Sequence, residues 1–294
     1  MDYFLELLIT GLMLGGLYGV VALGLVLIYK STNVFNFAQG ELVMMGAFFF
    51  YTLSVMFGLP IWLSFLCTFL VCAALGFLLE RAILRPLIGQ PILTMIMMTI
   101  CLSASLKGLA ALIWGGRRQI LPGFIPMEAF MLGEIHISQQ LTWCFVSALL
   151  ATGIFIYFFQ RSRTGLAMRA TAEGHDTSRS IGIKVTQTFS LSWIISAMLA
   201  GLGGIFMGTL QGVDPELGHI GMVALPVAIL GGLDSIPGVI LGGLIVGASE
   251  TTTAGYLDAA VGGGLREITP FIVMAIVVLI RPFGLFGLEK IERI

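Results

Sequence analysis

Long uninterrupted apolar runs constrain this chain more than any other feature. Leu5–Tyr29, Ile61–Leu79 and Ile92–Trp114 approach or exceed the roughly 20 apolar residues needed to cross the hydrocarbon layer of a membrane. Backbone N–H and C=O groups find no water there, so only helices and closed barrels can span. The runs show no sustained polar–apolar alternation, which argues against barrel strands and leaves helices. Composition agrees: 57% of the 294 residues are apolar and 11% charged, less than half the roughly 25% charged fraction usual in soluble domains. The expected fold is all-α, a polytopic membrane helix bundle in which 1–294 form a single transmembrane domain.

The candidate spans are Leu5–Tyr29, Leu42–Phe57, Ile61–Leu79, Ile92–Trp114, Gln140–Phe159, Thr188–Leu210, Met222–Leu233, Ile236–Thr253 and Ile268–Ile280. This makes eight to nine hydrophobic segments. The pieces flanking Gly231–Gly238 are short for a crossing, so 222–253 reads either as two spans or as a broken, re-entrant pair. Leu5–Tyr29 follows Met1-Asp2-Tyr3-Phe4 with no basic n-region, which favours a mature spanning helix over a cleaved signal peptide. Cys67, Cys72, Cys101 and Cys144 lie in apolar runs without metal-ligand spacing, so neither disulfides nor a metal is expected.

Basic residues set orientation. With the C-terminus cytoplasmic, Lys30, Arg81, Arg85, Arg161, Arg163, Arg169, Arg179, Lys184, Arg281, Lys290 and Arg293 face inward. Only Arg117, Arg118 and Arg266 then face outward, and Lys107 falls within a span, snorkelling or facing the bundle. The expected topology is N-terminus outside and C-terminus inside. Glycines recur at every fourth residue in Gly11-Gly15-Gly19, Gly204-Gly208-Gly212, Gly238-Gly242 and Gly243-Gly247. Small residues so spaced form grooves for close helix approach and predict a tightly packed bundle.

The longest inward polar loop, 160–185, is far longer than a helix connection needs. A short amphipathic helix there would suit docking into a groove on a cytoplasmic partner. Arg163 and Arg169 would supply charge, and Leu166, Ala167, Ala170 and Ile181 packing. The alternative is a solvated basic loop that only sets topology. Two polar interruptions supply translocation-path candidates. Asn33, Asn36, Gln39 and Glu41 group amides with a carboxylate after the first span, and could bind a zwitterion; for Asn33 and Asn36 the competing reading is local capping. Glu41 and Glu250 are acids at span ends, costly unless paired or wetted, and Glu250 precedes the hydroxyl patch Thr251-Thr252-Thr253. Asp234 reads as a turn residue.

Four stretches resemble permeases of the branched-chain amino-acid ABC importer family. They are NVFNFAQGELVMMGA (33–47), TGLAMRATAEGHDTSRSIG (164–182), AILGGLDSIPGVILGG (228–243) and RPFGLFG (281–287), in the family's order along the whole chain. The resemblance implies that 160–185 is a cytoplasmic coupling loop gripped by an ATPase subunit, through Arg163, Gly165, Leu166, Arg169, Ala170, Ala172, Glu173, Gly174, Ile181 and Gly182. One departure stands out: the general coupling order Glu-Ala-Ala followed by glycine is here Ala170-Thr171-Ala172-Glu173-Gly174. Implied partners are two ATP-binding subunits, a second homologous permease (a copy or a distinct chain) and a periplasmic or extracellular solute-binding protein. The implied site is the bacterial cytoplasmic (inner) membrane, with lipid around the chain and no nucleic acid. The same pattern serves leucine, isoleucine and valine, and also urea, short amides and aromatic acids. The outer segments 115–138 and 211–221 are where a binding protein would seat.

No lysine follows a glycine, so the chain has no phosphate-cradling loop, binds no cofactor of its own, and leaves ATP to partner subunits. The other transport reading is an ion-coupled carrier, which calls for paired intramembrane ionisable groups; Lys107, Glu41 and Glu250 are scattered in sequence. An enzyme is disfavoured. His136, His175 and His219 form no zinc pair, Gly247-Ala248-Ser249-Glu250 is no Gly-x-Ser-Gly, and Gly231-Gly232-Leu233-Asp234 is no Gly-x-Gly-Asp.

Overall fold

The computed structural model describes residues 2–126, 128–132 and 135–287. Helices run over Asp2–Thr32 (α1), Gln39–Tyr51 (α2), Ile61–Leu79 (α3) and Ile92–Trp114 (α4). A short antiparallel hairpin, Ala129–Leu132 (β1) and Ile135–Ser138 (β2), leads into Gln139–Arg161 (α5). Then come Arg163–Glu173 (α6), His175–Ser180 (α7), Val185–Gln211 (α8), Ile220–Gly231 (α9), Ile236–Val261 (α10) and Leu265–Ile280 (α11). A π-helical turn, Thr52–Met56, prolongs α2, and Glu80–Leu84 with the 3-10 turn Arg85–Leu87 prolongs α3.

Among the described residues, six helices are long and apolar enough to cross a membrane: α1, α3 with its extension, α4, α5, α8 and α10. The three remaining expected segments are helices too, α2, α9 and α11, but each is shorter than those six. Of the pair at 222–253, the first member, α9, is short and the second is long. α10 continues through Thr251–Thr253 to Val261 as a 26-residue helix. Two of its hydroxyls bond back to the helix, Ser249 donating to the Ile245 carbonyl and Thr252 to that of Ala248, both at 2.7 Å. The polar patch therefore does not end the helix.

The breaks lie elsewhere. Residues 33–38 interrupt the path from α1 to α2, and 212–219 precede α9, with a 3-10 turn over Pro215–His219. These two irregular segments meet at Gly40, Gly218 and Gly221, where a Cβ on Gly40 or Gly221 would overlap the opposing backbone.

α1 is the axis of the bundle, packed by α10, α8, α9 and α5. Its glycine stripe faces that of α10: a Cβ on Gly15 would run into the Gly243 carbonyl, and one on Gly247 into that of Gly11. The same contact recurs between α2 and α8, where Gly204 meets the Val43 carbonyl and Gly46 meets Gly201, and between α9 and α10 at Gly231 and Gly238. Lipid tails are as apolar as leucine, so association rests on such backbone contact and on dispersion.

Candidate functional site

The break after α1 is built from side chains that replace lost helical bonds. Asn33 ends α1 with φ 56°, a left-handed conformation asparagine tolerates. Asn36 Oδ1 accepts from the Ala38 N–H at 3.1 Å, and its Nδ2 donates to Gln39 Oε1 at 3.3 Å. Gln39 Nε2 donates to the Val21 carbonyl at 3.3 Å, and Ser196 donates to Gln39 Oε1 at 3.0 Å. Val21 lies eleven residues before the end of α1, about 16 Å at a rise of 1.5 Å per residue, so α2 starts deep inside the bundle. Thr99 on α4 closes the group by accepting from the Phe37 N–H at 3.3 Å. Asn36, Gln39, Thr99 and Ser196 are all buried. Asn36 and Gln39 thus hold the break together, and among the buried and half-buried members of the predicted cluster Glu41 is the one not spent on it.

Two cavities flank this segment, and Asn36 lines both. One, of about 230 Å³, lies toward the α6–α7 end between Thr32, Glu80, Arg85, Gln90, Thr99, Arg179 and Trp193. Within it Arg85 grips Glu80 at 2.9 and 3.1 Å, and Ser190 donates to the same carboxylate at 2.7 Å. The other, of about 370 Å³, is walled by Leu25, Phe37, Glu41, Ile100, Ser103, Gly218, Gly221, Met222, Leu225 and Phe271. Beside it Glu216 bridges Lys107 and His219, each at 3.0 Å. Lys107 is therefore partnered across the bundle. The sequence hinted at this only through the i, i+3 spacing of Glu216 and His219; their meeting with α4 is tertiary.

Glu250 and Thr251 line neither cavity and do not join Glu41. Glu250 is buried between α1, α10 and α11, where Tyr18 donates to its Oε1 at 3.1 Å and Arg266 at 2.8 Å. Among the described residues its Oε2 has no hydrogen-bond partner.

At the far end of α5 the loop 160–185 folds into α6 and α7. Ser162 caps α6 by accepting from the Gly165 N–H at 2.8 Å, and Gly165 lies flush on the Phe159 carbonyl, leaving no room for a side chain. Met168 and Thr171 are buried beneath the helix, while Ala170, Ala172 and Gly174 are half-buried. Arg163, Leu166, Glu173, Arg179, Ile181 and Gly182 face out, with Leu166 59% and Ile181 68% exposed. Arg169 differs from the sequence expectation. It turns inward, donating to the Phe159 carbonyl with its guanidinium 5.6 Å from the ring centroid. Helical phase puts it on the face of Gly165 and away from Arg163. Lys30 approaches the same ring and donates to the Asp234 carbonyl at 2.9 Å, tying α1 and the α9–α10 turn to α5 beneath α6 and α7, which together form a handle at this end.

The opposite end is closed by the Gln119–Val213 bridge, the Tyr51–Gln119 bond at 3.0 Å and the β1–β2 hairpin, which falls in the outer segment 115–138.

The family described as branched-chain amino acid transport system / permease component matches residues 7–280. The high-affinity branched-chain amino acid transport system permease protein BraD of Pseudomonas aeruginosa is 32% identical, over 99% of this chain and 98% of that protein. LivH of Escherichia coli, with the same description, is 30% identical over 99% and 98%. The probable LivH of Methanocaldococcus jannaschii is 32% identical over 94% and 90%. Among solved structures, PsaBC from Streptococcus pneumoniae in complex with Fab has a similar fold, with TM-score 0.51 at 15% identity, covering 96% of this chain and 93% of that one.

Proposed function

The chain belongs to the branched-chain amino acid transport permease family, and from that premise we propose that it forms one half of the translocation path of an ATP-driven importer for branched-chain amino acids. It is a multi-pass membrane transport subunit. The other half is a second homologous permease. Of two ATP-binding subunits, one grips α6–α7, and a solute-binding protein delivers cargo at the hairpin end. The chain sits in the bacterial inner membrane with its N-terminus outside and its C-terminus in the cytoplasm.

The observation that carries this reading is the build of α6–α7. The unit is fastened to α5 by Gly165 and Arg169, and it packs through Met168 and Thr171. Yet it exposes Leu166, Ile181, Arg163 and Arg179. A loop that only set topology would need neither the rigid attachment nor the outward apolar residues. Force applied there would pass through Phe159, Lys30 and Asp234 into α1 and α10, the most tightly packed pair in the bundle. Basic residues agree with the orientation: Lys30, Arg85, Arg169 and Arg179 gather at this end, and Arg118 stands by Asp214 at the other.

The test is leucine uptake into vesicles holding the chain, its permease partner and the ATP-binding subunits, with binding protein supplied outside. Uptake is expected to require both ATP and binding protein. Uptake by this chain alone, driven by an ion gradient without ATP, would contradict the proposal.

A further inference from the structure

We infer that the larger cavity is a binding site for the zwitterion of an aliphatic amino acid, with Glu41 taking the ammonium and Lys107 and His219 the carboxylate; this rests on the transport reading above and names the residues that carry it out.

The amides are not free to bind solute. Asn36 and Gln39 spend their polar atoms on Ala38, Val21, Ser196 and each other, and breaking those bonds would undo the start of α2. Glu41 is different. It is a half-buried carboxylate on the cavity wall with Ser103 beside it, and among the described residues it forms no ion pair. Facing it is Gly218, where even a Cβ would come within 3.2 Å of Glu41 Oε1, so the missing side chain leaves the carboxylate open to the cavity.

Lys107 and His219 do not line the cavity, but each follows a lining residue (Ser103 on α4 and Gly218) and both stand near enough to act on the charge of Glu41. Lys107 Nζ meets Glu216 at 3.0 Å, which engages one of its three ammonium hydrogens, and His219 meets the other oxygen of Glu216. A solute carboxylate can share the remaining donors. The location matters as much as the pairing. Lys107 lies seven residues before the end of α4, about 10 Å inside the helix, yet its side chain is 42% exposed in the single chain. A lysine at that depth is costly against lipid and belongs beside a water-filled path or a protein neighbour. Ile100, Met222, Leu225 and Phe271 form the apolar part of the wall. The combination of one unpaired acid, one shared base and an aliphatic lining matches a zwitterion with a branched apolar side chain. It fits a sugar or a nucleobase poorly.

The experiment uses the complete reconstituted complex, measuring [14C]leucine uptake, ATP hydrolysis stimulated by leucine-loaded binding protein, and thermal unfolding. Failure of the unaltered complex to take up leucine would defeat the transport reading and leave the site claim without its premise. With that uptake established, Glu41→Gln is expected to lower it about tenfold or more, with Glu41→Asp recovering most of it. Lys107→Met is expected to lose several-fold and Lys107→Arg to recover. Unfolding should stay within about 2 °C throughout, and stimulated hydrolysis should fall less than uptake. Unchanged uptake in Glu41→Gln overturns the site. So does a parallel loss of uptake, hydrolysis and thermal stability in the Gln and Asp variants alike, which would assign Glu41 a structural role.

Discussion

α1 and α4 are both long apolar helices, yet the most apolar stretch of α1 is 89% buried and that of α4 only 22%. Apolarity does not explain the difference, because in a membrane an apolar residue is at home on either side of the bundle surface. Glycine explains it. α1 presents Gly11, Gly15 and Gly19 to α10 and Gly24 to Gln39 and Ser196, while α4 has Gly108 alone, with open space around it. The interior of this protein is reserved for helices whose backbones can touch. The looser periphery is where α4 brings Thr99 to the break and Lys107 to Glu216. One half of the molecule is dry and fixed, and the other is polar and partly open.

The sharpest way to break this contrast is to give both helices the same insult. Gly15→Leu should cost about 3 kcal/mol or more by forcing α1 off Gly243, and should abolish recovery of monodisperse protein. Gly108→Leu should change unfolding by less than about 0.5 kcal/mol. Equal damage from the two would refute the glycine argument. Gln39→Leu tests the boundary between the halves. It strips partners from Ser196, Asn36 and the Val21 carbonyl, and should lower stability by roughly 1–3 kcal/mol in thermal unfolding.

A smaller effect is expected from Arg169→Glu, which removes the bond to Phe159 at the edge of the core. Membrane insertion should persist, unfolding should shift by about 1 kcal/mol, and leucine carried per ATP should fall. Unaltered coupling would remove the transmission route through Phe159. Least of all, Glu216→Gln should move stability by no more than about 1 kcal/mol, because the pair it breaks is exposed. A large loss there would show that the open half is load-sharing after all.

Much of the dry half was legible in sequence. The four-residue glycine spacing of 11–19 and 243–247 marked both stripes, although nothing in either said that they face each other. Ile61–Leu79 and Ile92–Trp114 begin and end where the apolar runs do. Hydropathy alone ends α10 at Thr253, because Thr251–Thr253 and Asp258 lower its apolarity, and a bond such as that of Thr252 to the Ala248 carbonyl does not register in such a pattern. The open half was less readable. Asn36 and Gln39 announced a polar break, but the choice between binding solute and satisfying backbone depended on Val21 and Ser196, 15 and 160 residues away from Asn36. Arg169 and Arg163 are alike as letters, and only the turn of α6 separates them. Lys107, Glu216 and His219 come together through the bundle alone.

The measurement that bears most directly on the account is site-specific photo-cross-linking from Ile181, the most exposed apolar residue of the handle after α7. In the purified, assembled transporter, a photoreactive residue at this position is predicted to yield one major adduct, with an ATP-binding subunit. Cross-linking to the solute-binding protein, or labelling of the site from outside intact cells, would contradict it.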